Sequence, residues 1–104
     1  MDKLALLVRL DAKKGKETEV EKFICDSVAD IQNESATSTW HALKLAPSTY
    51  IIFDTFPDDE GRQAHLSGKV AKTIEEKSSE LFSRPPTIEK LDVLAVKLPE
   101  VLQY

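Results

Sequence analysis

Thr49-Tyr50-Ile51-Ile52-Phe53-Asp54-Thr55-Phe56 reads as a β-strand with two apolar faces: Thr49, Ile51, Phe53 and Thr55 alternate with Tyr50, Ile52, Asp54 and Phe56. Successive side chains of a strand point to opposite sides of the sheet, so both sides here need cover. A chain of 104 residues has helix enough for one side, and the other side implies a partner subunit. The run Thr37 to Leu45 lies just upstream, across Ala46-Pro47-Ser48. Proline pre-sets a turn and cannot continue a central ladder, so the two runs form a β-hairpin. Asp54 is the odd residue of its strand: a carboxylate there must be partnered or lie at a cavity edge, and Arg62 is one candidate partner.

Working outward, Leu4 to Leu10 is a short apolar run ended by the turn-prone Asp11-Ala12-Lys13-Lys14-Gly15, a strand buried on both faces. From Gly15 to about Glu34 the period changes to that of a helix. Val20, Phe23, Ile24, Val28 and Ile31 share one face, and Glu17 and Glu19 sit in the first turn, where the helix dipole favours acids. Pro57-Asp58-Asp59-Glu60 opens a second helix with Asp58 as N-cap, running to about Ser67. Gly68 interrupts it, and a further helix through Val70, Ala71, Ile74, Leu81 and Phe82 ends before Arg84-Pro85-Pro86. The last strand spans Ile88 to Leu98, with a tail from Pro99 to Tyr104. The order is βαββαβ over one domain, residues 1–104: an α+β, ferredoxin-like sandwich of an antiparallel sheet with helices on one face.

Composition narrows the function classes. Eighteen acids against fourteen Lys and Arg leave a formal charge of −4, without the basic face that nucleic acid or an anionic membrane requires. No run approaches the ~20 apolar residues of a membrane span, and no signal-peptide pattern opens the chain, so the expected location is the cytoplasm. Cys25 is the only cysteine; an intrachain disulfide and a multi-cysteine metal site are thereby ruled out, and its neighbours point to a half-buried helical thiol. No glycine-rich phosphate loop and no HExxH zinc motif occur.

The residues left to carry chemistry are Trp40, His41, Tyr50, Asp54, Arg62 and His65. Arg62 and His65 are three apart and share a helix face. His65 reads either as a general base, its ordinary pKa suiting proton abstraction near neutrality, or as a ring packed at a helix–sheet junction with its nitrogens satisfied by backbone. Trp40 and His41 are strand neighbours on opposite faces, so only one of them can look into a given cavity. Trp40 is a core or interface anchor, or else the wall of an aromatic pocket.

Val8-Arg9-Leu10, Lys14-Gly15-Lys16-Glu17, Thr39-Trp40, Ile52-Phe53-Asp54-Thr55-Phe56, Gly61-Arg62-Gln63-Ala64-His65-Leu66 and Lys90-Leu91-Asp92-Val93-Leu94-Ala95 together resemble the antibiotic biosynthesis monooxygenase domain family over almost the whole chain. The resemblance implies a homodimer whose sheets pack face to face into a dimeric α/β barrel with a pocket in each subunit. It also implies a cofactor-independent monooxygenase of a small quinol- or polyphenol-like aromatic, in which the deprotonated substrate passes an electron directly to dioxygen; no metal or cofactor is called for. His65 would be the base or orienting group, and Trp40, Tyr50 and Phe56 would wall the pocket around a flat aromatic ligand; His41, Asp54 and Arg62 are the further candidates for binding substrate. Haem-degrading members of the superfamily carry a tryptophan where this chain has Phe56 and an asparagine where it has Val8. Quinol-oxygenase relatives often carry a second histidine where Ser67-Gly68-Lys69-Val70 has none. The alternative is a non-catalytic dimeric α/β-barrel protein that binds a ligand or responds to stress.

Overall fold

The computed structural model describes residues 2–99. Four strands, β1 (Leu4–Asp11), β2 (Thr39–Ala46), β3 (Thr49–Phe56) and β4 (Thr87–Asp92), form one antiparallel sheet in the order β2-β3-β1-β4. Three helices, α1 (Glu17–Ile31), α2 (Asp59–Leu66) and α3 (Lys69–Leu81), complete the ferredoxin-like arrangement, with the second helical stretch divided at Gly68 as expected. The β1–α1 turn depends on Gly15, whose φ of 88° is a conformation that a side chain disfavours. Its N–H donates to Glu17 Oε1 at 2.9 Å, so the first acid of α1 also closes the turn.

Register sorts the side chains. Leu6, Val8 and Leu10 of β1 pair with Asp54, Ile52 and Tyr50 of β3, and Trp40 of β2 also pairs with Asp54; all lie on one side of the sheet. There Val8, Leu10, Tyr50 and Ile52 form the core with Val20 and Ile24 of α1, Leu81 of α3 and Phe82 just after it. On the other side Leu7, Ile51 and Phe53 lie on the two central strands yet remain partly exposed, and Leu43 is 52% exposed. No described helix packs on that side. The strand with two apolar faces is therefore half covered by its own chain.

The apolar run expected as one strand from Ile88 to Leu98 pairs only as far as Asp92. Its partner β1 begins at Leu4, opposite Asp92, and the last bond is from Val93 N–H to Lys3 O at 2.8 Å. Beyond this point the ladder has no neighbour strand. Residues 93–98 carry no strand pairing, and Leu94 is 93% exposed. Of the expected tail, residues 100–104 lie outside the described residues.

Candidate functional site

His65 reaches the sheet because two local devices fix α2. Asp58 caps the helix, its Oδ1 accepting from Gly61 N–H at 2.8 Å, which satisfies a donor at the helix start that would otherwise lack a partner. Gly61 lies against the α1–β2 loop: a Cβ added there would meet Ala36 O at 3.0 Å. Only a residue without a side chain permits that approach. The loop thus brings Glu34 and Thr37 to the face of α2 that carries His65.

Three buried or partly buried groups then line up. Nδ1 of His65 is 2.6 Å from Glu34 Oε1, and Nε2 is 2.8 Å from Asp54 Oδ2. Thr37 Oγ1 donates to Glu34 Oε1 at 2.9 Å. The ring of Phe56 packs against the imidazole with centroids 5.4 Å apart. Side-chain exposure falls from 21% at Glu34 through 8% at His65 to 0% at Asp54, so the chain of groups runs from an open groove into the core. The Asp54 contact is short but lacks hydrogen-bond alignment and acts as an ion pair; Asp54 Oδ1 has no partner among the described residues. Burial is the largest influence on His65 and pulls its pKa down, but the contacts to Asp54 and Glu34 and their two charges outweigh it, leaving the pKa above its ordinary value. The two flanking carboxylates thus favour the protonated imidazole over the neutral one.

Two open grooves meet at Glu34. One of about 630 Å³ runs between α1 and β2, lined by Ile24, Val28, Ile31, Trp40 and Leu43 together with Glu34 and Thr37. The other, about 470 Å³, lies over Ala36, Gly61, His65 and Gly68, and shares Glu34 and Thr37 with the first.

The expected site residues divide. Asp54, Phe56 and His65 come together, and Trp40 is the cross-strand neighbour of Asp54, its buried Nε1 without a partner among the described residues. Of the two strand neighbours, it is thus Trp40 that shares a side with the histidine. His41 is exposed on the opposite side, 6.4 Å from the ring of Phe53. Tyr50 lies four residues from Asp54, about 13 Å along the strand. Its hydroxyl donates to Glu21 Oε2 at 2.7 Å, and burial, reinforced by that carboxylate, pushes its pKa up to about 12. Arg62 is not the partner of Asp54. Its Nη1 donates to Ala5 O and Leu91 O at 3.4 Å each, and its Nη2 to Asp59 Oδ1 at 3.1 Å. The nitrogens of His65 meet carboxylates, where backbone was one expectation, and Cys25, expected half-buried, is exposed on α1. Glu34 and Thr37 were not among the candidates, because nothing in a polar loop sequence marks contact with a residue 31 positions away.

No family model matches the sequence, and no curated protein matches it. Solved structures do. A structure named as an antibiotic biosynthesis monooxygenase superposes with a TM-score of 0.76 at 12% identity, covering 88% of this chain and 99% of that one. The PA3566 protein of Pseudomonas aeruginosa gives 0.78 at 16%, covering 91% and 97%. The fold is thus the one that antibiotic biosynthesis monooxygenase domains adopt. Nearer in sequence is NE2512, a protein of unknown function from Nitrosomonas europaea, at 46% identity and a TM-score of 0.93, covering 97% of this chain and 98% of that one. The chain belongs to the same family as this protein. No helix among the described residues is long and apolar enough to cross a membrane.

Proposed function

We propose that this protein is a cofactor-independent monooxygenase of a small, flat aromatic of the quinol or polyphenol class, acting as a cytoplasmic homodimer. The observation that carries the reading is the Glu34–His65–Asp54 chain, in which an imidazole of raised basicity is buried behind a carboxylate that opens onto two grooves. A substrate in the groove beside Trp40 loses a proton from an acidic ring methylene, or from the enol O–H of its tautomer, through Glu34 to neutral His65, and Asp54 stabilises the imidazolium that forms. The carbanion then gives an electron to dioxygen, and the radical pair recombines to a peroxide. His65 returns its proton to the peroxide, and loss of water leaves the carbonyl. The reaction balances as a ring methylene plus dioxygen giving a ring carbonyl plus water: both methylene hydrogens leave in the water, one oxygen atom stays on carbon, and no external reductant is needed. Pairing of two sheets through Leu7, Ile51, Phe53 and Leu43 accounts for the apolar side that no described helix covers.

A second reading has its own support. Both nitrogens of His65 are engaged by carboxylates and Arg62 by backbone, as expected of a strut in a non-catalytic, ligand-binding dimer. Oxygen uptake by the metal-free protein against a panel of dihydroquinones and anthrone-like phenols separates the two. In the oxygenase, His65→Ala and Glu34→Gln each lower the rate by roughly 100-fold or more, the scale of a lost general base. A folded dimer that consumes no oxygen with any of them excludes the oxygenase and leaves the binding protein. Sedimentation at micromolar concentration tests the pairing itself: a monomer sinks the barrel.

A further inference from the structure

Resting on the aromatic ligand proposed above, we infer that the groove between α1 and β2 takes a phenol without a free acid group, and that Glu34 is the residue that excludes carboxylated ones. The walls formed by Ile24, Val28, Ile31 and Trp40 offer apolar contact to the ring of either kind. Charge makes the choice between them.

Among the described residues that line this groove, Glu34 alone is acidic and none is lysine or arginine. The ring of His41 lies on the opposite side of the sheet, near Phe53. Two cations line the hollows that share residues with this groove, and acids already match both: Lys44 Nζ donates to Glu21 Oε2 at 3.0 Å, and Lys69 Nζ to Asp30 Oδ1 at 3.2 Å. Behind Glu34 stand His65 and Asp54, and two carboxylates against at most one imidazolium leave the trio at −1, or at −2 while His65 is neutral. Glu34 is the member that faces the groove, and it is fixed there. Thr37 Oγ1 and His65 Nδ1 both meet its Oε1, and a Cβ added at Gly68 would come within 3.3 Å of its Oε2, so the carboxylate has little room to swing away from an arriving anion.

A ligand carboxylate beside Glu34 is repelled by this excess charge, with no cation on the described walls to offset it. Two like charges about 6 Å apart at an effective dielectric of ~40, between the value near a protein surface and that of water, repel enough for roughly a tenfold loss of affinity. Proton transfer adds to the discrimination. Moving the substrate's proton to His65 leaves the total at −2, because the carbanion takes on the negative charge that the imidazolium balances. A ligand that enters as a carboxylate brings the total to −3 and, as one more anion near the imidazole, favours its protonated form, so that less of the neutral base remains. An uncharged phenol does neither, and its hydroxyl can donate to Glu34.

Trp40, the only tryptophan of the chain, lines the groove, so quenching of its fluorescence reads binding apart from turnover. Under argon at pH 7, 2,5-dihydroxybenzoate is titrated against 2,5-dihydroxybenzamide, which has the same shape without the charge. The amide should bind roughly tenfold tighter. Glu34→Gln, which keeps the shape of the side chain, should bring the two affinities within about threefold of each other, and Glu34→Asp, which keeps the charge, should retain the preference. Equal affinities in the wild type, or a preference that survives Glu34→Gln, overturn the inference, as does a folded protein that binds neither compound at millimolar concentration. A protein that shows the preference under argon yet consumes no oxygen with any phenol of the panel leaves this inference standing and removes only the oxygenase. One that consumes oxygen yet binds both compounds alike does the reverse.

Discussion

Replacing Asp54 by Asn tests the ion pair at the heart of the site, because the change keeps the shape of the side chain and removes only its charge. Asp54 is 0% exposed, and its Oδ2 is 2.8 Å from His65 Nε2. Two unit charges at that separation attract by about 6 kcal/mol at an effective dielectric of ~20, an upper figure that desolvation and charge delocalisation reduce. Breaking a buried pair by removing one partner costs roughly 3–5 kcal/mol; Glu34 still holds Nδ1, so the lower end, about 3 kcal/mol, is expected. For a domain of this length that is a fall in Tm of about 12–24 °C. The loss must also depend on pH. His65 has a raised pKa in the fold, so its stabilising contribution is complete below the unfolded value of about 6.5 and disappears as pH rises through the folded value. Urea unfolding at pH 6 and pH 9, with NMR titration of the imidazole, reads both effects. Asp54→Asn should cost most at pH 6 and should lower the pKa of His65, since burial is then opposed by Glu34 alone. A penalty equal at the two pH values, or a His65 that titrates no lower than in the wild type, would refute the charge argument.

Gly61→Ala places a methyl 3.0 Å from Ala36 O, and calorimetry should find about 1–3 kcal/mol of destabilisation, the cost of overpacking against backbone. The same variant should weaken protection of the α1–β2 loop in hydrogen exchange, since that approach seats Glu34. Tyr50, with its pKa pushed up to about 12, should remain a neutral phenol at pH 11 by ultraviolet titration, and Tyr50→Phe should abolish that late step. If the oxygenase reading holds, oxygen uptake should rise with pH through the folded pKa of His65, because only the neutral imidazole accepts a proton. A rate that falls over that range would exclude His65 as the base. Asp58→Ala removes the α2 cap and should cost about 1 kcal/mol in thermal unfolding.

Where local rules suffice, the sequence was enough. The alternation of Thr49–Phe56, the helical period from Val20 to Ile31, the turn at Ala46-Pro47-Ser48 and the cap at Asp58 each follow from a few neighbouring residues, and each appears in the structure close to the expected bounds. The same alternation raised the need to cover a second side of the sheet. Tertiary structure alone decided the partners. Trp40 rather than His41 shares the histidine's side because strand register sets which side each residue faces. Asp54 met His65 rather than Arg62 because α2 presents the imidazole to β3, while Arg62 reaches the carbonyls of Ala5 and Leu91 at the β1–β4 edge. Glu34 joined the site through a loop pressed on Gly61. The last strand stopped at Asp92 although its apolar pattern runs on to Leu98, because a strand is as long as the neighbour it pairs with. Periodicity encodes what a segment can become; which distant residue it touches depends on how the other elements pack around it.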